Sequence, residues 1–194
     1  MLKVKPLAKK ETNAGFREDR LIGATALLVQ LAGGEIDVVL AQRLLFLLEH
    51  RSLLRLGWPV FGGQYVRTDD GPFLRELHGQ IRSEVPGPDA DTEWLRTFRI
   101  HDHKISTQKP VESKSLSRKD KEQLDLLFQE FQPLDYSQVI AAIEKECPEW
   151  TSDKGSIFGM KEVLVANGCQ VEDALRLEAQ VKFNTALIKQ RAQA

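Results

Sequence analysis

"LLFLLEHRSLLRLGWPVFGGQYVRTDDGPFLRELHGQI", residues 44–81, runs from the apolar centre of one helix through a glycine- and proline-rich corner into the next helix. Leu44, Leu45, Phe46, Leu47 and Leu48 are apolar on every side of a helical wheel, which suits a helix packed from several directions rather than one lying on a surface. Asp37 can cap that helix, and Gly57 followed by Pro59 stops it in the usual order, so residues 38–56 are expected to form the centre of the fold. Within the corner, Gly62-Gly63 stands between Val60-Phe61 and Gln64 to Arg67, the spacing of a two-residue hairpin loop with positive φ. Tyr65 and Arg67 then share one strand face. Gly71 reads as a helix cap and Pro72 as the first helical position.

Working outward, "RLIGATALLVQLA" (20–32) is a first helix stopped by Gly33-Gly34. Downstream, "PFLRELHGQIRSE" (72–84) is a third helix, closed by the Pro- and Gly-bearing loop "VPGPDADT". In "WLRTFRIHDHKISTQ" the alternation of Phe98 and Ile100, a polar tip and then Ile105 predict a short strand or hairpin. Ser117 with Asp120 forms a capping-box start, and Leu124, Leu127, Phe128 and Phe131 follow at helical spacing. "YSQVIAAIEKEC" places Val139, Ile143 and Cys147 on one face. Two further helices are expected over 156–166 and 171–190, the latter with Ala174, Leu177, Val181 and Ile188 in one stripe. The expected class is α+β, mainly α-helical: a single domain of about six to seven helices around a central apolar helix, with a small antiparallel sheet or hairpins. Residues 1–20 read as a charged arm and 21–194 as the domain.

Composition removes several function classes. The chain has 194 residues, 42% hydrophobic and 28% charged, which fits one ordinary domain with a proper core. A net charge of -1 gives no basic excess of the kind phosphate neutralisation needs, so nucleic acid is not the expected partner. Cys147 and Cys169 are too few for a disulfide framework or a cysteine zinc site, which points to a reducing, cytoplasmic setting. The longest strictly apolar run, residues 44–48, falls far short of the roughly 20 residues a membrane span needs. No apolar stretch follows the basic N-terminal residues, so no export signal is expected.

The chemical motifs are equally sparse. Neither G-x-x-x-x-G-K-[ST] nor G-x-G-x-x-G occurs, and G-x-S-x-G is missing. Asp69 and Asp70 stand where an anion at the following helix start would be repelled. His101 and His103 have a spacing that could ligate a metal, but no acidic residue completes a site, and they read as solvated turn residues. Cys147 reads as a small buried thiol with no partner histidine. No catalytic residue, cofactor or metal site is therefore expected. What remains is an aromatic and arginine cluster, Trp58, Phe61, Tyr65, Arg67 and Phe73. Trp, Tyr and Arg tend to anchor protein interfaces, while Phe61 and Phe73 can equally pack the small sheet on the core helix.

The series from Leu44 to Leu48, then Gly57, Pro59-Val60, Tyr65 and Gly71-Pro72, resembles the central signature of the Panacea domain, the SocA-like antitoxin domain of phage-associated proteins. Leu116-Ser117 is similar to that family's "LS" helix start, and Pro148 to Trp150 to its closing Trp segment. The resemblance covers about residues 21–164. This chain departs from the pattern at Asp69-Asp70, where the family has a small residue and an aromatic, and at residues 145–147, where a histidine is often found.

The resemblance implies a non-enzymatic antitoxin that neutralises a cognate toxin protein by direct contact, in a bacterium or a phage, with delivery to a cellular protease as a variant. Trp58, Tyr65, Arg67, Asp69 and Asp70 are the expected partner-binding residues. Gly57, Gly62, Gly63, Gly71 and Pro72 are the expected structural turns. The rival classes are a nucleic-acid-binding regulator using Arg43, Arg51 and Arg55, and below it a metal-dependent hydrolase using His101 and His103.

Overall fold

The computed structural model describes residues 15–69, 71–82, 92–150 and 155–192. Its centre is α2, Val38–Leu56, in which residues 44–48 are all fully buried. Asp37 caps this helix by accepting hydrogen bonds from the Val39 and Leu40 amides at 2.9 Å. Gly57 ends it in the left-handed conformation, φ 65°, where its amide still reaches the Leu53 carbonyl and where a residue with a Cβ is disfavoured.

Around α2 pack α1 (Glu18–Leu31), which starts inside the expected arm, and α5 (Arg118–Phe131). The capping box at Ser117 and Asp120 forms as read, and Leu124, Leu127 and Phe131 are buried against the core. α6 (Tyr136–Glu146) buries Val139 and Ile143 and leads into buried Cys147 and a 3-10 turn, Pro148–Trp150. α7 (Met160–Ala166) and α8 (Val171–Ala192) complete the layer. On α8, Ala174 and Val181 are buried and Leu177 is half-buried, but Ile188 is 45% exposed, so the stripe stops short of the helix end. Residues 1–14 and the loop over 83–91 lie outside the described residues.

Two three-stranded antiparallel sheets flank the helices, one ordered β1 (Glu35–Asp37), β5 (Lys104–Thr107), β4 (Phe98–His101) and the other β3 (Gly71–Leu74), β2 (Tyr65–Thr68), β6 (Ile157–Phe158). In the first, β1 (Glu35–Asp37) was not legible as a strand, and β4 (Phe98–His101) and β5 (Lys104–Thr107) form the expected hairpin behind a short helix, α4 (Glu93–Thr97). Its two-residue loop is Asp102-His103, both at positive φ, the signature of the tight turn that matches strand twist.

The second sheet corrects the reading of the corner. The hairpin is β2 (Tyr65–Thr68) against β3 (Gly71–Leu74), with Tyr65 opposite Leu74 and Arg67 opposite Pro72. Pro72 is therefore a strand residue and Gly71 is no helix cap; α3 starts only at Arg75 and runs to Arg82. β3 is an edge strand, so the missing proline N–H breaks no ladder. Val60 and Phe61 form no strand either. The amides of Phe61 and Gly62 are taken instead by Glu49, at 2.7 and 2.8 Å, and that of Gln64 by Glu76 at 3.1 Å. A row of backbone N–H groups of this kind attracts anions, and here the protein supplies its own carboxylates.

Glu49 is completely buried on α2 and also accepts from the Tyr65 hydroxyl at 3.2 Å. Burial pushes its carboxyl above the usual carboxylate range, while the hydrogen bonds from Phe61, Gly62 and Tyr65 pull it back. The Tyr65 phenol is pushed well up, first by burial and then by the neighbouring carboxylate. Tyr65 is 1% exposed, with its ring edge-on to Phe46 at 5.4 Å and tilted on Phe158 at 5.2 Å. The exposed strand face expected at Tyr65 is thus turned inward.

Two stability predictions follow from this clamp. Glu49→Ala should lower stability by about 1–3 kcal/mol or more, since the buried Phe61 amide and the half-buried Gly62 amide both lose their acceptor, and Tyr65→Phe by about 1 kcal/mol. Urea titration by circular dichroism reads both, and equal small effects would mean the clamp contributes little. Gly62 sits at φ 73°, and a Cβ there would lie 2.6 Å from the Gly15 carbonyl oxygen. Gly62→Ala should therefore cost at least about 1–3 kcal/mol in the same assay, whereas an unchanged midpoint would show the corner to be plastic.

Candidate functional site

The corner, the 3-10 turn and β6 (Ile157–Phe158) are tied together by Arg67. Its guanidinium lies 4.1 Å above the Phe158 ring, Nε donates to the Glu149 carbonyl at 2.8 Å, and Nη1 donates to Ser156 Oγ at 2.7 Å. Trp150 Nε1 donates to the Thr68 carbonyl at 2.9 Å. Arg67 and Tyr65 do share a face, through their common contact with Phe158, but Tyr65 is buried and the half-buried Arg67 is engaged by Glu149, Ser156 and Phe158. Trp58 is half-buried against the core, Asp69 is exposed, and Asp70 lies outside the described residues.

Beneath the 3-10 turn, His50, Cys147 and Glu149 converge, all buried, with one donor atom from each lying within 4.8 Å of the others. Cys147 is the small buried thiol its context implies, and the histidine beside it, which no sequence signal marks, arrives because the bend at Pro148 carries Cys147 and Glu149 back onto α2. Burial, followed by the charges of Glu149 and Glu146, pushes the thiol far above its usual range, so it is no activated nucleophile. A signal for this cluster was present in the sequence. Glu49 and His50 directly follow the five-residue apolar run 44–48 of the central helix, and polar residues so placed must find partners in the interior. By contrast, His101 and His103 are exposed at the β4–β5 tip, the solvated turn that their context implies.

A third feature lies at the C-terminal end of α2. Leu54, Leu56 and Leu126 are 41%, 54% and 64% exposed and line an open groove of about 930 Å³ between α2 and α5. Arg51, Arg55, Lys119, Glu122 and Gln123 form its rim. Arg51 is held by Glu146 at 2.7 Å and Glu130 at 2.9 Å, and Arg55 by Gln123 at 2.7 Å. The rim arginines are thus ordered, and the charge of Arg51 is balanced by the two carboxylates that hold it. Leucines spaced around the helix end read from the sequence as core, and only the packing of α5 shows which remain uncovered.

No helix among the described residues is long and apolar enough to cross a membrane. Comparisons with curated proteins and with solved structures gave no match. The family model described as antitoxin SocA-like, Panacea domain, matches residues 42–151, more than half of the chain. That span begins on α2 and ends just past Trp150, so it takes in the Glu49 clamp, the buried cluster and most of the groove. The chain belongs to the SocA-like antitoxin family with the Panacea domain.

Proposed function

We propose that this SocA-like antitoxin family member neutralises a cognate toxin protein in the cytoplasm by direct binding, and that the toxin docks on the groove of Leu54, Leu56 and Leu126. The exposed leucine groove carries this reading. Exposed apolar surface flanked by ordered polar groups marks an interaction site, and desolvated anchors supply most of an interface's energy while the charged rim steers the partner. A rim of fixed charges of both signs sets the register of that contact. The proposed contact surface accordingly moves from buried Tyr65 and internally bonded Arg67 to the end of α2. The same docking would serve an antitoxin that hands its toxin to a protease.

The rival nucleic-acid reading needs a row of available arginines on α2. Arg43 is 3% exposed with its guanidinium over the Tyr136 ring at 4.6 Å, and Arg51 is held between two carboxylates. A phosphate backbone would have to break those contacts to reach them.

The test uses the product of the neighbouring open reading frame as toxin. Leu56→Asp combined with Leu126→Asp alters only exposed positions, so melting should stay near wild type. Binding should weaken by at least about 2 kcal/mol, or roughly thirtyfold in Kd by calorimetry, with protection of toxin-expressing cells lost. A folded double variant that protects normally would place the docking surface elsewhere. Measuring the toxin's half-life in protected cells separates sequestration, where it persists, from proteolytic delivery, where it disappears.

A further inference from the structure

We propose that His50, Cys147 and Glu149 supply three of the four ligands of a zinc site that clamps the 3-10 turn Pro148–Trp150 to α2. The donors are an imidazole nitrogen, a sulfur and a carboxylate oxygen, all buried and within 4.8 Å of one another. A mixed nitrogen, sulfur and oxygen set at that separation matches the borderline-soft character of zinc, and a thiolate ligand disfavours magnesium and calcium.

The second observation is the state of the polar atoms themselves. His50 Nε2 stands 3.0 Å from Glu149 Oε1, yet the two are not aligned as a hydrogen bond, and neither His50 nitrogen nor Glu149 Oε1 has a hydrogen-bond partner in the protein. Buried polar atoms without partners are costly. A cation that takes lone pairs from the imidazole and the carboxylate satisfies both at once, where an in-line hydrogen bond does not form.

The surroundings have the outer contacts of a metal site. Asn167 Nδ2 donates to Glu149 Oε2 at 3.2 Å, fixing the carboxylate, and Glu146 Oε1 lies 3.9 Å from His50 Nδ1, beyond hydrogen-bond reach but on the side of the ring where a second carboxylate can close on the site. The Glu149 carbonyl is held by Arg67, and the Cys147 amide donates to the Ile143 carbonyl at 2.8 Å, so the backbone bearing two ligands is anchored independently of the ion. Binding requires the Cys147 thiol to give up its proton to solvent as the sulfur–zinc bond forms, so uptake strengthens as pH rises.

The experiment loads the full chain with zinc or cobalt(II) after removal of metal by chelator. Wild type should take up equimolar zinc, melt higher with zinc than with chelator, and show with cobalt the near-ultraviolet band of a cobalt–thiolate bond. Cys147→Ser should abolish that band and weaken zinc binding by at least about tenfold, the smallest effect usual for loss of even an outer contact. Cys169→Ser should leave both intact, which assigns the sulfur, and His50→Gln should weaken binding as Cys147→Ser does. Wild type that takes up neither metal, or a band that survives Cys147→Ser, overturns the site. Because wild type alone gives the uptake and melting readouts, a variant that fails to fold does not rescue the proposal. Toxin binding is not among the readouts, so this result stands apart from the groove.

Discussion

A single buried carboxylate sets the geometry of the fold's centre. Glu49 projects from the buried middle of α2 and receives the amides of Phe61 and Gly62 together with the Tyr65 hydroxyl. Burying a carboxylate is unfavourable unless its oxygens are filled, and buried amides are unfavourable unless accepted. Each requirement meets the other at the corner. The result fixes where the chain leaves α2, how Gly62 approaches Gly15, and which way β2 faces, and β2 in turn carries β3 on one edge and β6 on the other.

From that fixed strand the rest of the domain is tied back to α2. Arg67 reaches the Glu149 carbonyl and Ser156, and Trp150 reaches Thr68, so the turn after α6 is bound to the hairpin by side chains pointing in opposite directions along the chain. This arrangement gives a physical reason why the family's recognisable pieces lie so far apart in sequence. The apolar helix, the glycine corner, the tyrosine strand and the closing Trp segment are contacts of one another. Their spacing is set by the helices between them.

Helix α2 also separates distinct environments along its length. Its middle is sealed, and there Glu49 accepts the hydrogen bonds of the corner while His50 faces Glu149. Its C-terminal end emerges past α5, and there Leu54 and Leu56 meet solvent beside arginines braced by Glu130, Glu146 and Gln123. A partner can therefore engage the end of the helix without disturbing its centre. Stability and recognition lie on one element yet draw on different residues.

The sequence by itself determined the parts governed by local chemistry. Asp37 and the Ser117–Asp120 box cap their helices through hydrogen bonds spanning three residues or fewer, Gly57 stops α2 because its left-handed turn needs no distant partner, and five apolar residues in a row declare a helix buried on all sides. The order of motifs was enough for the family resemblance as well. The corner was misread because its residues choose partners far along the chain. Val60 and Phe61 carry strand-like side chains, but a carboxylate twelve residues earlier claims the Phe61 amide, and Pro72 is ideal for a helix start until pairing with Arg67 makes it an edge-strand residue. Tyr65 looked like an interface anchor, and only the packing of Phe46 and Phe158 over its ring buries it. The meeting of His50 with Cys147 and Glu149 across about a hundred residues belongs to tertiary structure alone, because no local period connects a helix to a turn that folds back upon it.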